Sequence, residues 1–169
     1  FNGLESVPES VWELANLEEL RLYYNKLKTI SPAITKLTKM RKLWIDGNPL
    51  DGFPEAVCKL EQLEALSVED CQLSVLPSSF ASLRNLLELR LADNAFEQFP
   101  GVVCELMSLR KLWLSGNKLL SLPQSFANLQ ELRELQISRN HFKEFPQVVC
   151  ELLNLGCLNI SDIKISQLS

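Results

Sequence analysis

The chain has 169 residues, of which 46% are hydrophobic, and its 17 basic and 21 acidic side chains give a net charge of −4. This length fits one domain, and no apolar run reaches the roughly 18 residues that a membrane span requires. Because a nucleic-acid-binding surface is usually basic, the acidic balance argues against one.

Asparagines recur along the chain with a fixed period of 23 residues. Leucine-like residues keep the same period, three, five and eight positions before each asparagine. A period of this size predicts a solenoid, in which each unit buries its apolar face by stacking on its neighbours. The series of ladder residues is Asn2, Asn25, Asn48, Cys71, Asn94, Asn117 and Asn140, with the cysteine in the place of one asparagine.

Each unit is predicted to contain a strand, a turn and a return segment. The alternation in Glu19-Leu20-Arg21-Leu22-Tyr23 predicts a strand whose leucines point inward. The asparagine that follows is expected to turn into the core, where its amide bonds backbone groups of its own turn and of the neighbouring unit. A later Leu-Pro or Phe-Pro pair fits the start of a short return segment. In one unit, Ser31-Pro32, the proline comes one residue late.

A second period of 46 residues concerns the phenylalanines. Phe53, Phe99 and Phe145 precede a proline, whereas Phe80 and Phe126 follow one in the units between. Each of these units therefore holds one ring, placed alternately at two positions. We interpret this alternation as volume matching in a close-packed core, and a doubled binding surface is the alternative.

The pattern L-x-x-L-x-L-x-x-N/C-x-L, carried here in every unit, resembles that of leucine-rich repeat proteins. The 23-residue unit with Leu-Pro is similar to intracellular members of the Ras-suppressor, Scribble-like and Roco type. The resemblance implies an α/β solenoid of about seven repeats, forming one domain over residues 1–169. It would be a curved right-handed superhelix, with a parallel sheet on the concave face and short helical, 3₁₀ or extended segments on the convex face.

The resemblance also implies a function. Such proteins dock other proteins on their concave face, so we expect a cytoplasmic signalling scaffold whose partner is a small GTPase or another signalling protein. Two alternatives remain, a recognition arm of a larger enzyme (a Roco GTPase or kinase, or a ubiquitin ligase) and a self-associating structural module. An incomplete unit at Phe1–Leu4 favours a piece of a longer array, and Ile163 at a ladder position favours either that or the start of a terminal unit.

A partner is expected to bind the outward strand positions, because the leucines are structural. Tryptophan and arginine dominate interface hot spots, and two Arg–Trp pairs on adjacent strands, Arg21 with Trp44 and Arg90 with Trp113, are expected to stack. Duplication of one unit explains both tryptophans equally well. The acidic group Glu69, Asp70 and Asp93 is expected to be a solvated rim. The candidate binding residues are Arg21, Tyr23, Lys42, Trp44, Asp46, Glu69, Arg90, Lys111, Trp113 and Gln136.

The sequence predicts no enzyme active site, metal site or cofactor. The one histidine, His141, has no second histidine as a partner, and neither a phosphate-binding glycine loop nor metal-ligand spacing occurs.

The cysteines indicate a reducing compartment. Cys58, Cys104 and Cys150 lie two units apart, roughly 9–10 Å at ordinary strand spacing, which exceeds the disulfide limit of about 7 Å. Their position holds Thr35, Ala81 or Ala127 in other units, so it is expected to require a small side chain. Reduced thiols in a cytosolic protein follow.

Overall fold

Seven parallel strands form one sheet in the order of the sequence in the computed structural model, which describes residues 2–163. Each strand pairs with the next at an offset of 23 residues, so that Leu20 lies opposite Leu43 and Leu43 opposite Leu66. The predicted solenoid register is therefore confirmed. The strands are β1 (Glu19–Arg21), β2 (Lys42–Trp44), β3 (Ala65–Ser67), β4 (Glu88–Arg90), β5 (Lys111–Trp113), β6 (Glu134–Gln136) and β7 (Cys157–Asn159).

A five-residue 3₁₀ helix precedes each strand and forms the return segment. Proline stands just before most of these helices, and its carbonyl accepts the first helical bond, as from Val11 N to Pro8 O at 3.0 Å. Where the proline comes late, the Ser31 carbonyl accepts this bond from Ile34 N at 3.0 Å. The Ser31 side chain also accepts from Ala33 N, and Pro32 begins the helix. The helices are η1 (Glu9–Glu13), η2 (Pro32–Lys36), η3 (Glu55–Lys59), η4 (Ser78–Ser82), η5 (Gly101–Glu105), η6 (Gln124–Asn128) and η7 (Gln147–Glu151).

The strands are shorter than the sequence predicts, since β1 ends at Arg21 rather than at Tyr23. The hydrogen-bond ladder nevertheless continues beyond the strand ends. Leu22 N donates to Trp44 O, and Tyr24 N donates to Asp46 O, each at 2.7 Å. The residues that follow each strand are therefore held at the same spacing as the strands themselves.

Alternating rings fill the space between the sheet and the 3₁₀ helices. Phe53 and Phe80 meet edge to face with ring centroids 5.2 Å apart, and Phe99 and Phe126 do the same at 5.2 Å. Each pair joins two adjacent units. This confirms that the 46-residue period is a packing pattern.

The first unit departs from the predicted small-residue position. Trp12 stands where Cys58 and Cys104 stand in later units, and it is completely buried. Within the described chain, η1 contacts η2 and no other 3₁₀ helix, so its unit has a different packing environment from the later units. The indole Nε1 of Trp12 has no hydrogen-bond partner among residues 2–163.

In the middle of the array the ladder asparagines bond the backbone of adjacent units. Asn94 accepts hydrogen bonds from Cys71 N and Leu73 N at 3.1 and 2.9 Å. Its amide nitrogen donates to three carbonyls of its own turn and of the preceding unit, those of Val68, Leu91 and Ala92. The equivalent Asn48, Asn117 and Asn140 are also buried.

Burial of the ladder fades toward the first unit, where Asn25 is half-buried and Asn2 is exposed. Asn25 still accepts from Leu4 N at 3.1 Å. At the far end of the ladder Ile163 is 3% exposed and joins the hydrophobic core.

Cys71 replaces only the donor function of a ladder asparagine. Its Sγ donates to the carbonyls of Ile45 and Glu69 at 3.3 and 3.2 Å, but it offers no acceptor comparable to an amide oxygen. In other units the equivalent backbone N–H donates to the side-chain oxygen of the ladder asparagine. Here Leu50 N donates to Asn48 O instead, at 2.8 Å. Burial raises the pKa of Cys71 to about 12.

The five cysteines are free thiols. Cys58, Cys71 and Cys104 are buried, and burial raises the pKa of Cys58 and Cys104 as well. Cys150 and Cys157 are exposed.

Candidate functional site

The outward side of the sheet, called the sheet face below, carries the candidate binding residues. The third residue of each strand forms its central column, and the first residues form one flank. The second flank is formed by the residues two positions beyond each strand. The central column reads Arg21, Trp44, Ser67, Arg90, Trp113, Gln136 and Asn159.

Arg90 connects both sheet-face tryptophans. Its guanidinium carbon lies 3.8 Å from the ring centroid of Trp113 on the next strand, as the sequence predicts. The same carbon lies 5.2 Å from the ring of Trp44, two strands away in the other direction. Ser67 occupies the strand between and is only 1% exposed, because its small side chain lets Trp44 and Arg90 meet above it. We call Trp44, Arg90 and Trp113 the indole–arginine cluster.

The predicted stacking of Arg21 on Trp44 is wrong. Arg21 Nε donates instead to Glu19 Oε1, at 2.7 Å on its own strand. The physical reason is that the same carboxylate oxygen also accepts from Trp44 Nε1 at 3.0 Å, which draws the indole edge toward Glu19 and leaves its ring to Arg90. These bonds, that from Arg21 first, lower the pKa of Glu19.

Carboxylates of the first flank hold the cluster in place. Trp113 Nε1 donates to Glu134 Oε1 at 3.0 Å, and Arg90 Nε donates to Glu88 Oε1 at 2.6 Å. Gln136 also donates to Glu134, at 2.9 Å. Aromatic and cationic side chains that are already ordered lose less conformational entropy when a partner binds.

The lysines of the first flank and Tyr23 of the second flank are more open. Lys42 is exposed, and Lys111 lies 3.9 Å from Glu134. Tyr23 and Tyr24 are 43% and 48% exposed and meet edge to face at 6.0 Å. The tyrosine pair thus extends the aromatic surface toward β1.

The second flank is acidic at β2 and β3. Asp46 Oδ1 accepts from Glu69 N at 2.8 Å and from the hydroxyl of Ser67. Glu69 is half-buried, and burial followed by the charge of Asp46 raises the pKa of its carboxyl group, although Arg90 opposes the shift. Farther along, this flank consists of Ala92, Ser115 and Ser138.

Asp93 and Arg139 form an ion pair at the outer edge of the second flank, 3.0 Å apart and two units from each other. Gly116 lies between them. A Cβ atom added to Gly116 would come 2.0 Å from Asp93 Oδ1, so the pair forms only because this position has no side chain. Gly116 also has φ +71°, in the region that favours glycine.

Neither a metal-binding cluster nor a membrane-spanning helix occurs in the described part of the structure. Over residues 2–163, no set of three or more histidine, cysteine, aspartate or glutamate side chains is placed to hold a metal ion. No helix in that range has the length and apolar content to span a membrane. His141 is exposed.

Two contacts of the site were not predicted from the sequence. The contact of Arg90 with Trp44 was missed, and its signal is the small Ser67 between two long side chains. The Asp93–Arg139 pair was also missed, and its signal is a glycine at the left-handed turn position between them.

Comparison with known proteins gives matches to leucine-rich repeats. A family model described as a leucine-rich repeat region matches residues 32–115, and one described as a leucine-rich repeat matches residues 16–37 and 108–129. No curated protein matches the sequence.

The solved structures that are similar over nearly the whole chain include the three that follow. A Leptospira interrogans leucine-rich repeat protein superposes with a TM-score of 0.91 at 28% identity, over 98% of this chain and 42% of its own. The leucine-rich repeat ectodomain of the Arabidopsis thaliana membrane receptor kinase GASSHO1/SCHENGEN3, in complex with CASPARIAN STRIP INTEGRITY FACTOR 2, gives 0.78 at 31% identity over 92% of this chain and 19% of its own. The plant peptide hormone receptor RGFR1, in complex with RGF2, gives 0.77 at 22% identity over 92% of this chain and 26% of its own, which concerns the fold alone. The chain thus spans less than half the length of each.

Proposed function

This chain is a leucine-rich repeat protein, and on that basis we propose that it docks another protein on its sheet face, at the indole–arginine cluster. Leucine-rich repeat folds are typical protein-interaction modules, and the GASSHO1/SCHENGEN3 ectodomain was solved in complex with CASPARIAN STRIP INTEGRITY FACTOR 2. The role proposed is that of a signalling scaffold or adaptor, with a small GTPase or another signalling protein as the partner.

The observation that carries this proposal is the contact of Arg90 with both tryptophans. Two half-buried indoles and an ordered guanidinium stand on an open sheet face, with carboxylates fixing each of them. The stacking itself contributes about 0.5–1 kcal/mol per pair. Tryptophan and arginine held in this way are the usual composition of a hot spot.

We propose that the protein is cytoplasmic, because its repeat length resembles that of intracellular leucine-rich repeat proteins. Five thiols without a disulfide fit a reducing compartment, where exposed groups such as Cys150 and Cys157 stay reduced.

The test is to truncate the cluster. A binding partner is isolated with the wild-type protein, purified, and titrated against Trp44→Ala, Trp113→Ala and the double variant by calorimetry. A hot-spot tryptophan should contribute about 2 kcal/mol or more to binding. Met107→Ala is the matched control, since Met107 is 64% exposed and lies away from the sheet face. Wild-type affinity in the double variant would refute the proposal.

The second candidate is a recognition arm of a larger enzyme, such as a Roco GTPase or kinase or a ubiquitin ligase. Its support is the 31% identity to the ectodomain of a membrane receptor kinase. The full reading frame separates the two candidates, because a phosphate-binding loop, kinase domain or catalytic-cysteine domain in the same protein would favour the second.

A further inference from the structure

The two flanks of the sheet face differ in how their charges are compensated. On the first flank each carboxylate has a cation of the same face as its ion-pair partner, in the pairs Glu19–Arg21, Glu88–Arg90 and Glu134–Lys111. On the second flank Asp46 and Glu69 are neighbours, and no residue in that column is a lysine or an arginine.

The charge balance of the whole face is therefore uneven. Its ion pairs, with Asp93–Arg139 at the edge, use four of the five cations that the face and its edge carry. Lys42 is the fifth, and no ion pair holds it within the described residues. Four acids of the face and its edge also lack an ion pair within residues 2–163, namely Asp46, Glu69, Asp70 and Asp162.

Glu69 has no structural reason to be acidic. The equivalent residues of the next three units are Ala92, Ser115 and Ser138, each no more than 8% exposed, so the fold accepts a small side chain at this position. No side chain of the described region donates a hydrogen bond to the Glu69 carboxylate or pairs with it. Asp46, by contrast, is engaged with Glu69 N and Ser67. A half-buried acid beside another acid, where a neutral residue would fit, is typical of a binding site rather than of a scaffold position.

We propose that the segment docked on the sheet face is basic and places a lysine or arginine side chain between Asp46 and Glu69. Asp46 and Trp44 lie on the same side of one extended chain, about 6–7 Å apart. The aliphatic part of the incoming side chain can therefore contact the indole while its cation faces the two carboxylates. This inference rests on the proposed function and adds the chemistry of the partner.

The experiment uses a random dodecapeptide library displayed on phage and selected on the wild-type protein. Recovered peptides are synthesised with a fluorophore, and their affinity is measured by anisotropy at low and high salt. The variants are Glu69→Gln, Trp44→Ala and Glu61→Gln. Glu61 is exposed in the turn after η3, so its variant loses the same charge away from the sheet face.

The expected result is enrichment of lysine and arginine in the peptides and a roughly tenfold loss of affinity in Glu69→Gln, with Glu61→Gln unchanged. Replacing the critical basic residue of a peptide by glutamine should weaken binding to the wild type and leave binding to Glu69→Gln unaffected.

Three other results would overturn the inference. Peptides that are weakened by Trp44→Ala but bind Glu69→Gln like the wild type, or that are rich in acidic residues, would refute the basic segment and leave the docking function standing. Peptides indifferent to both variants would refute the inference and the docking function together.

Discussion

Asp93 and Arg139 are joined by an ion pair that passes over Gly116, the residue of the unit between them. From Asn25 onward the position just before each ladder residue has positive φ. Glycine occupies it at Gly47 and Gly116, whereas the other units have non-glycine residues there, such as Tyr24 at 54° and Asp93 at 53°. The backbone geometry of this turn is thus tolerated without glycine. Gly116 is needed because it leaves the space in which the side chains of Asp93 and Arg139 meet.

Substituting Gly116 by alanine should destabilise the protein by about 1–3 kcal/mol, from the left-handed backbone and the displaced Asp93. Gly52→Ala is the control, since a Cβ there would contact nothing within 4 Å. Urea denaturation measures both, and similar stability of the two variants would contradict the role given to Gly116.

Asn94→Ala should lower the free energy of unfolding far more than Asn2→Ala. The first variant leaves two backbone N–H donors and several carbonyls unsatisfied inside the core, at about 1–3 kcal/mol for each buried group. It also weakens the coupling between the two halves of the array. Asn2 is exposed, so water replaces its bonds. Equal losses in chemical denaturation would mean that the ladder does not stabilise the core.

Cys71→Asn should be neutral or stabilising by up to about 1 kcal/mol. The new amide nitrogen can donate to the carbonyls that Sγ now bonds, and its oxygen can accept from Leu50 N. Thermal unfolding of the variant tests this. A clear drop in melting temperature would show that the turn around Asp70 and Gln72, both with positive φ, excludes an asparagine.

The thiols should divide into two classes of reactivity. Iodoacetamide at neutral pH is expected to label Cys150 and Cys157 in the folded protein, because the thiolate is the reactive form and the other three are buried with raised pKa values. Peptide mass spectrometry identifies the labelled sites. Reductant should leave the melting temperature unchanged, and a fall of several degrees would reveal a disulfide.

Glu69→Gln should stabilise the protein at pH 7 and less so at pH 4. The pKa of Glu69 is raised on folding above its ordinary value of 4.5, so the folded state binds the proton more tightly than the unfolded state does. Ionisation of Glu69 therefore lowers stability as pH rises through the range between the two pKa values. Denaturation of the wild type and the variant at both pH values, with Glu61→Gln as the control, checks the sign. An equal difference at the two pH values would exclude this titration.

The sequence predicted the parts of the structure that the repeat dictates. Strand register, 3₁₀ return segments, the ladder and the paired rings all follow from positions that recur, because each must fit the same neighbour in every unit. The burial of Trp12 was not predicted. Among the described residues its unit has a neighbour on one side only, so the small side chain expected from the other units is not required there.

The candidate site was harder to predict for a related reason. The repeat does not constrain the outward side chains, and Arg90 is long enough to reach strands in either direction. Its two contacts therefore depend on the small size of Ser67 and on the carboxylate to which each indole N–H donates. The prediction that Arg21 stacks on Trp44 was based on contacts between adjacent strands only. Which of the ten candidate residues bind a partner remains a prediction.

Trp12 gives the protein a built-in optical probe of its first unit. An indole shielded from water emits at shorter wavelength than one in contact with it, and Trp12 is wholly shielded whereas Trp44 and Trp113 are not. In a protein in which both sheet-face tryptophans are changed to phenylalanine, all remaining tryptophan emission would come from η1. Because a one-dimensional array frays from its ends before it unfolds as a whole, a red shift of that emission ahead of the loss of circular dichroism would record the first unit detaching alone.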